Sequence, residues 1–232
     1  MSRAVLYTAT RKLYQDMVVS MKSLIHHTKV DKVYCFIEDD VFPYPLPEFV
    51  KTINVSKQRW LVPNGANWNN LYSWIVMMRA IAFKFINEDK ILSIDCDTIV
   101  MDDISEMFEA DICDYYYAAV QEDHSNLRTF FPYFNFGVVL LNLKKIKEKG
   151  ELIIDLLNEA PFGCPEQDVM LIVCKDHIMP IKNIYNAGFC TGNYNENEVK
   201  IRHYIGIDEK KKLYTTPEYR KYLFMPWEEV TK

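Results

Sequence analysis

Residues 90–103 read KILSIDCDTIVMDD, and the run places two carboxylates, Asp95 and Asp97, two positions apart just after an apolar stretch. In a β-strand, residues i and i+2 face the same side, so a strand continued through both aims them together, with α-carbons roughly 6.5–7 Å apart. One divalent cation with metal–oxygen bonds of about 2.1 Å can sit between two such side chains. Asp is depleted in strands, and burial of an unpaired carboxylate is costly; a bound cation removes that cost. Without a cation, the same residues read as a turn or cap at a strand end.

A hydrophobic strand ending in Asp-x-Asp fits two enzyme classes. One is a metal-dependent transferase of the GT-A type, in which the carboxylates hold a cation on the diphosphate of a nucleotide-sugar. The other is a haloacid-dehalogenase-like phosphatase, whose signature the string Asp95-Cys96-Asp97-Thr98 also matches, with Asp95 as nucleophile and Asp97 as general acid. That signature usually opens its domain, whereas here an α/β pattern precedes it. The phosphatase also needs a later Gly-Asp-x-x-x-Asp string, which this sequence lacks; residues 163–168, GCPEQD, are a loose echo.

The elements that must position the carboxylates are readable from periodicity. Residues 4–10, AVLYTAT, form a predicted strand, and 13–28 carry apolar residues at 14, 17, 18, 21, 24 and 25, the spacing of one helical face. A second strand is predicted over 33–39. Strand, helix, strand implies a parallel sheet with helices on its faces. The pattern then predicts a proline-rich loop at 43–47, a buried helix over 70–86 and a strand over 90–100. Further on come a short helix at 104–110, strands at 115–120 and 133–143, and a helix over 144–160 with Gly150 as a weak point. A helix at 166–177 begins with acidic residues that suit the positive end of its dipole, and a late strand is predicted at 199–206. In open α/β sheets, ligands gather at the carboxyl ends of strands, which is where Asp95 falls. The expected fold class is α/β, Rossmann-like, with a mixed, mostly parallel central sheet flanked by helices. One domain over 1–232 is expected, with a nucleotide-binding part to about residue 100 and a donor-sugar and acceptor part beyond it.

The totals agree. The chain has 232 residues, 49% of them hydrophobic and 14% aromatic, enough for one globular core. Its formal charge of −5, with no basic tract beyond Lys210-Lys211-Lys212, disfavours nucleic acid as a partner. Six cysteines at irregular spacing, without a Cys-x-x-Cys pair, read as reduced thiols of a cytoplasmic protein. The first residues lack a signal-peptide layout, and no apolar run approaches the ~20 residues of a membrane span.

Four further stretches, in order, resemble glycosyltransferase family 8, the retaining group that includes glycogenins and bacterial galactosyl- and glucosyltransferases. They are AVLYTATRKLYQDMVVSMKSL at the N-terminus, FNFGVVLLNL at 134–143, PEQDVM at 165–170 and IRHYIG at 201–206. With SIDCDTIV the resemblance covers residues 4 to about 210. It implies the GT-A fold and a hexosyltransferase that uses a UDP-sugar donor, UDP-glucose or UDP-galactose, with an acceptor left open among saccharides, proteins and small molecules.

The resemblance also implies a set of site residues. Asp95, Asp97 and His203 would hold Mn²⁺, with Mg²⁺ as the alternative; alone, His203 in an apolar strand reads as a hydrogen-bonded core residue. An O,O,N donor set favours Mn²⁺, and a cation there would neutralise the leaving diphosphate. Thr8, Ala9, Thr10 and Tyr14 would surround the nucleoside, although spacing alone turns Tyr14 toward the core. Arg79, the one cation in a very apolar stretch, needs an anionic partner if buried and is assigned to the donor, as are Cys96 and Gly206, where a glycine lets a phosphate approach. Asn135, Phe136, Glu166 and Gln167 would meet the donor sugar. Glu166 stands where the family usually has Asp, and Gln167 faces the anomeric carbon. Glu166 and Gln167 are thus the catalytic candidates, while Asp168 reads as a helix N-terminal charge. The sequence departs from the family's Gly-x-x-Lys-Pro-Trp string. Glu209 occupies the lysine spacing, Lys210 follows, and Pro226-Trp227 comes some twenty residues later, so the loop carries an insertion, the role moves to Lys210, or it is lost. Trp60 and Trp68 are expected either to stack on a sugar in an acceptor or lid surface or to pack inside. A non-catalytic nucleotide-sugar-binding protein is the remaining alternative.

Overall fold

The computed structural model describes residues 2–123 and 132–231. Nine strands are defined among them: β1 Ala4–Thr8, β2 Lys32–Ile37, β3 Val50–Asn54, β4 Lys90–Ile94, β5 Thr98–Val100, β6 Tyr117–Gln121, β7 Phe134–Asn142, β8 Ile178–Ile181 and β9 Ile201–His203. The α-helices are α1 Tyr14–His27, α2 Trp74–Met77, α3 Ser105–Glu109, α4 Leu143–Ile146, α5 Gly150–Glu159, α6 Pro165–Cys174, α7 Gly206–Leu213, α8 Pro217–Phe224 and α9 Trp227–Val230.

The main sheet has the order β3-β2-β1-β4-β7-β6-β8, and β7 alone runs against the rest. Its central strands β1, β4 and β7 are buried on both faces, as a sheet covered by helices requires. Ala4 and Leu6 enter one core with Phe136, Ile153 and Met170, while Val5 and Tyr7 enter the other with Met17, Met21 and Leu24. Helix α1 covers the second face because its apolar stripe repeats at the helical period. The expected mixed, mostly parallel sheet flanked by helices is what the chain forms.

Two departures shape the site. The predicted strand over 90–100 is two strands in two sheets: β4 ends at Ile94, the chain turns at Asp95-Cys96-Asp97, and β5 pairs antiparallel with β9 in a separate two-stranded ribbon. The carboxylates therefore converge through a turn and not through a pleat. The predicted helix over 70–86 is one turn of α-helix followed by a 3₁₀ segment, Met78–Lys84, kinked at Ile81. Arg79 Nε donates to the Val76 carbonyl at 3.3 Å, so a side chain competes for an acceptor that an unbroken α-helix would use itself.

The expected weak point at Gly150 is a real change of helix type, because a 3₁₀ turn, Lys147–Lys149, separates α4 from α5. A β-carbon at Gly150 would come within 2.6 Å of the Phe83 ring, which is why a side chain is absent there. No helix among the described residues is long and apolar enough to cross a membrane.

Candidate active site

The carboxyl ends of β1 and β4 open into a cavity of about 600 Å³. Of the residues assigned to the cation, the nucleotide or the sugar, all but Ala9 and Tyr14 line it. Ala9 is fully buried beneath it. Tyr14 faces away: its hydroxyl donates to Asp39 Oδ2 at 2.9 Å and accepts the Glu38 N–H at 3.0 Å, and its ring leans on Phe42. Trp60 packs edge-on against Phe85, and Trp68 stacks on Trp74, so both tryptophans are packing residues; from that stretch Leu71, Tyr72 and Ser73 reach the cavity instead.

Asp95, Asp97 and His203 come together on one wall, with one ligand atom from each lying within 4.8 Å of the others. The turn is held by backbone on both sides. Asp95 N–H donates to the Gly137 carbonyl at 2.7 Å, Tyr204 N–H donates to the Asp97 carbonyl at 2.9 Å, and the Thr98 hydroxyl closes on the Asp95 carbonyl at 2.8 Å. His203 arrives from β9, paired with Thr98 across the ribbon. Its Nε2 stands 3.2 Å from Asp97 Oδ1 and 3.6 Å from Asp95 Oδ2. Carboxylate oxygens only accept, so this corner is satisfied by an imidazolium N–H or by a cation between its atoms, and two hard oxygens plus an imidazole suit a divalent ion. The residues present therefore fit the cation that the sequence suggested.

Arg79 explains why Asp95 presents only one oxygen to that corner. The guanidinium is buried; Nη2 donates to Asp95 Oδ1 at 2.5 Å and Nη1 to the Phe136 carbonyl at 2.7 Å. Arg79 thus reaches the cavity from behind Asp95. Asp97 is balanced differently. Burial pushes its carboxyl up, but the hydrogen bond and charge of His203, with the charge of Lys210, outweigh this and hold it below the usual carboxylate range. Lys210 Nζ stands 3.9 Å from Asp97 Oδ2 and 3.9 Å from Asp16 Oδ2, so the lysine of α7 faces the cavity, while Glu209 pairs with Lys212. Gly206 opens α7 with φ of +85°, and a β-carbon there would meet nothing within 4 Å, leaving open space beside the corner. Trp227 is remote, its indole donating to the Pro45 carbonyl at 2.9 Å.

The opposite wall is built on an irregularity in β7. The register with β6 shifts between Ala119, opposite Val139, and Val120, opposite Asn135, so residues 136–138 have no partner on β6. Phe136 N–H donates to Gln167 Oε1 at 2.9 Å, which fixes the amide's orientation and turns Nε2 toward Glu122 Oε1, 3.4 Å away. Glu166 is buried, and its carboxyl is raised above the usual range by burial, with Arg79 opposing the rise. Its Oε1 lies 4.0 Å from Arg79 Nε. Asn135 has a protein partner at every hydrogen-bonding site: Glu122 Oε1 at 2.9 Å and Cys190 Sγ at 3.6 Å for its nitrogen, Gly137 N–H and Asn186 Nδ2 for its oxygen. Asp168 caps the helix, accepting the Cys164 N–H at 2.8 Å and the Tyr133 hydroxyl at 2.5 Å. Cys96 donates its thiol to the Thr8 carbonyl at 3.4 Å, and burial raises it well above the ordinary thiol.

Three residues of the site were missed. Gly137 lies where an added β-carbon would fall 1.9 Å from His203 Cε1, so the imidazole rests on bare backbone. Its signal was present in the FNFGV string. Glu122 follows β6 directly as the first carboxylate after an apolar run. Asn186 has no local signal at all, since its role depends on residues distant in the chain.

Residues 5–211 match the sequence model of Glycosyl transferase family 8. The glycosyltransferase GlyE of Streptococcus pneumoniae serotype 4 is 28% identical over 208 residues, covering 79% of this chain and 47% of GlyE. GlyA of the same organism is 25% identical over 168 residues, covering 68% of this chain and 23% of GlyA. The chain thus spans less than half the length of these relatives. The crystal structure of GlyE superposes with a TM-score of 0.74 at 20% identity, covering all of this chain and 62% of that one. The galactosyltransferase LgtC, solved with donor and acceptor sugar analogs, superposes with a TM-score of 0.66 at 15% identity, over 94% of this chain and 99% of that one. These likenesses give the GT-A fold, and the match over most of the sequence leaves no room for the phosphatase reading: the chain belongs to glycosyltransferase family 8.

Proposed function

We propose that this domain transfers a hexose from UDP-glucose or UDP-galactose to an acceptor hydroxyl, with retention at the anomeric carbon and with Mn²⁺ as the cation. The observation that carries the reading is the meeting of Asp95, Asp97 and His203 on one wall of a cavity whose other wall holds Glu166 and Gln167. A divalent cation held by the first three would offset charge on the departing diphosphate. Thr8 and Thr10 flank the nucleoside, and Lys210 and the open approach at Gly206 serve the diphosphate. Glu166 accepts from donor-sugar hydroxyls. Gln167 holds its amide at the reactive face, where a dipole fixed by the Phe136 N–H stabilises positive charge without reorganisation. Asn135 and Phe136 shape the sugar wall from β7. The first hundred residues form the nucleotide-binding part and the remainder the sugar and acceptor part. Six free cysteines suit a cytoplasmic setting.

The test is release of UDP from a panel of UDP-sugars, with Mn²⁺ and then with EDTA, beside the Asp97→Asn variant. Metal-dependent release from one sugar, lost in the variant, is the expected result. Binding of a UDP-sugar without turnover in the presence of Mn²⁺, with or without acceptor sugars, would instead mark a nucleotide-sugar-binding protein.

A further inference from the structure

Asn186 is completely buried beneath the cation corner, in the 3₁₀ turn Asn183–Asn186. Its carboxamide touches two site residues. Nδ2 donates to Asn135 Oδ1 at 2.7 Å, and Oδ1 lies 2.8 Å from His203 Nδ1. The direction of this chain is fixed by backbone. Gly137 N–H donates to the same Asn135 atom at 2.9 Å, so that atom is the oxygen. Asn186 must then turn its nitrogen to Asn135 and its oxygen to His203. An amide oxygen only accepts, so Nδ1 must carry a ring proton. Nε2 is thereby left to face Asp95 and Asp97.

From this geometry we infer that Asn186 is the positioning residue that makes His203 a nitrogen ligand, by holding the Nδ1 proton and the plane of the ring. It rests on the reading of the corner as a Mn²⁺ site. The two supports of the ring are complementary. Gly137 gives the imidazole room on one side, where any side chain would collide with it. Asn186 supplies the acceptor that keeps it from rotating within that room. Metal-bound histidines generally donate their second N–H to such a partner, and loss of the partner typically weakens metal affinity by about 10–100-fold. Asn186 does not line the cavity, so its influence on a cation passes through His203, while its amide nitrogen supports Asn135.

The experiment measures Mn²⁺ and Mg²⁺ affinity by calorimetry, and nitrogen coupling to bound Mn²⁺ by electron spin-echo envelope modulation. It compares wild type, Asn186→Ala and Asn186→Asp, each first checked by circular dichroism. Wild type is expected to show one directly bound nitrogen. Asn186→Ala is expected to lose that coupling and about 10–100-fold in Mn²⁺ affinity. Its Mg²⁺ affinity should stay within about threefold, because oxygen ligands dominate there. Asn186→Asp keeps an acceptor at Nδ1 and, protonated on the oxygen that faces Asn135 Oδ1, is expected to retain the nitrogen coupling. Folded Asn186→Ala with unchanged coupling and affinity would overturn the inference, and so would Asn186→Asp without the coupling, should the alanine variant not fold. Wild type that binds no Mn²⁺ would overturn the metal reading itself and the inference with it. Equal losses of Mn²⁺ and Mg²⁺ affinity, with the nitrogen coupling intact, would make Asn186 a merely structural residue.

Discussion

Asp97 and Glu166 are carboxylates of one cavity, yet their surroundings push them in opposite directions. Asp97, at the turn between β4 and β5, has an imidazole and a lysine within reach and is held below the usual range. Glu166, in the first turn of α6, is buried with its one cationic neighbour 4.0 Å away and is raised. The difference teaches that the two walls do different work. The first concentrates negative charge and holds it ionised, which on the proposed function would serve a cation; the second keeps a carboxyl poorly solvated, which would face a sugar.

The comparison breaks first at Asp97. Replacing it with Asn should lower metal-dependent UDP release by roughly a thousandfold, about 4 kcal/mol of transition-state stabilisation, read in a coupled UDP assay. Retained activity would show that the first wall holds no catalytic cation. Arg79 links the walls, and Arg79→Met should destabilise the fold by about 3 kcal/mol because it strands Asp95 and Glu166; urea unfolding at pH 7.5 measures this. On the second wall, Glu166→Gln should reduce kcat by about a hundredfold, with the affinity for free UDP within about threefold, so that the loss appears in turnover and not in nucleotide binding.

The smallest effect is in pH. A carboxyl raised in the fold favours its protonated form there, so the folded state holds more protons than the unfolded one and stability falls as pH rises through the raised value. Asp97 has the opposite sign, and its contribution is lost as pH falls through its depressed value. Urea unfolding between pH 4 and 8 should therefore show Glu166→Gln gaining stability over wild type toward the alkaline end. A tenfold difference in proton affinity corresponds to about 1.4 kcal/mol. Parallel profiles would mean that Glu166 is solvated in solution.

Much of this arrangement was written locally. The alternation of β1, the helical stripe of α1 and the apolar runs of β4 and β7 fix the sheet, and the acid pair at its strand ends marks the cavity. What was not legible depended on tertiary contacts. The Gly137 carbonyl still takes the Asp95 N–H and carries the β4–β7 register one residue further, and the expected strand is interrupted beyond it because β9 takes Thr98–Val100. Strand β3 is largely solvent-facing and β8 carries Pro180, so neither shows a clean period. Tyr14 follows its helical stripe into the core, as spacing alone suggested. Asn186 could not be found from neighbouring residues, because the partners that give it meaning, Asn135 and His203, are far away in the chain.

The turn at Asp95-Cys96-Asp97 is also the seam where the chain leaves the main sheet for the β5–β9 ribbon. A cation gripped there would rivet two sheets that the covalent turn and its backbone hydrogen bonds already join. By mass action, such a rivet strengthens the native state with the logarithm of free ion concentration. Metal supply would then set how firmly the ribbon, and the C-terminal helices that follow it, are fastened to the body, so that mechanical integrity and readiness to accept a donor rise together.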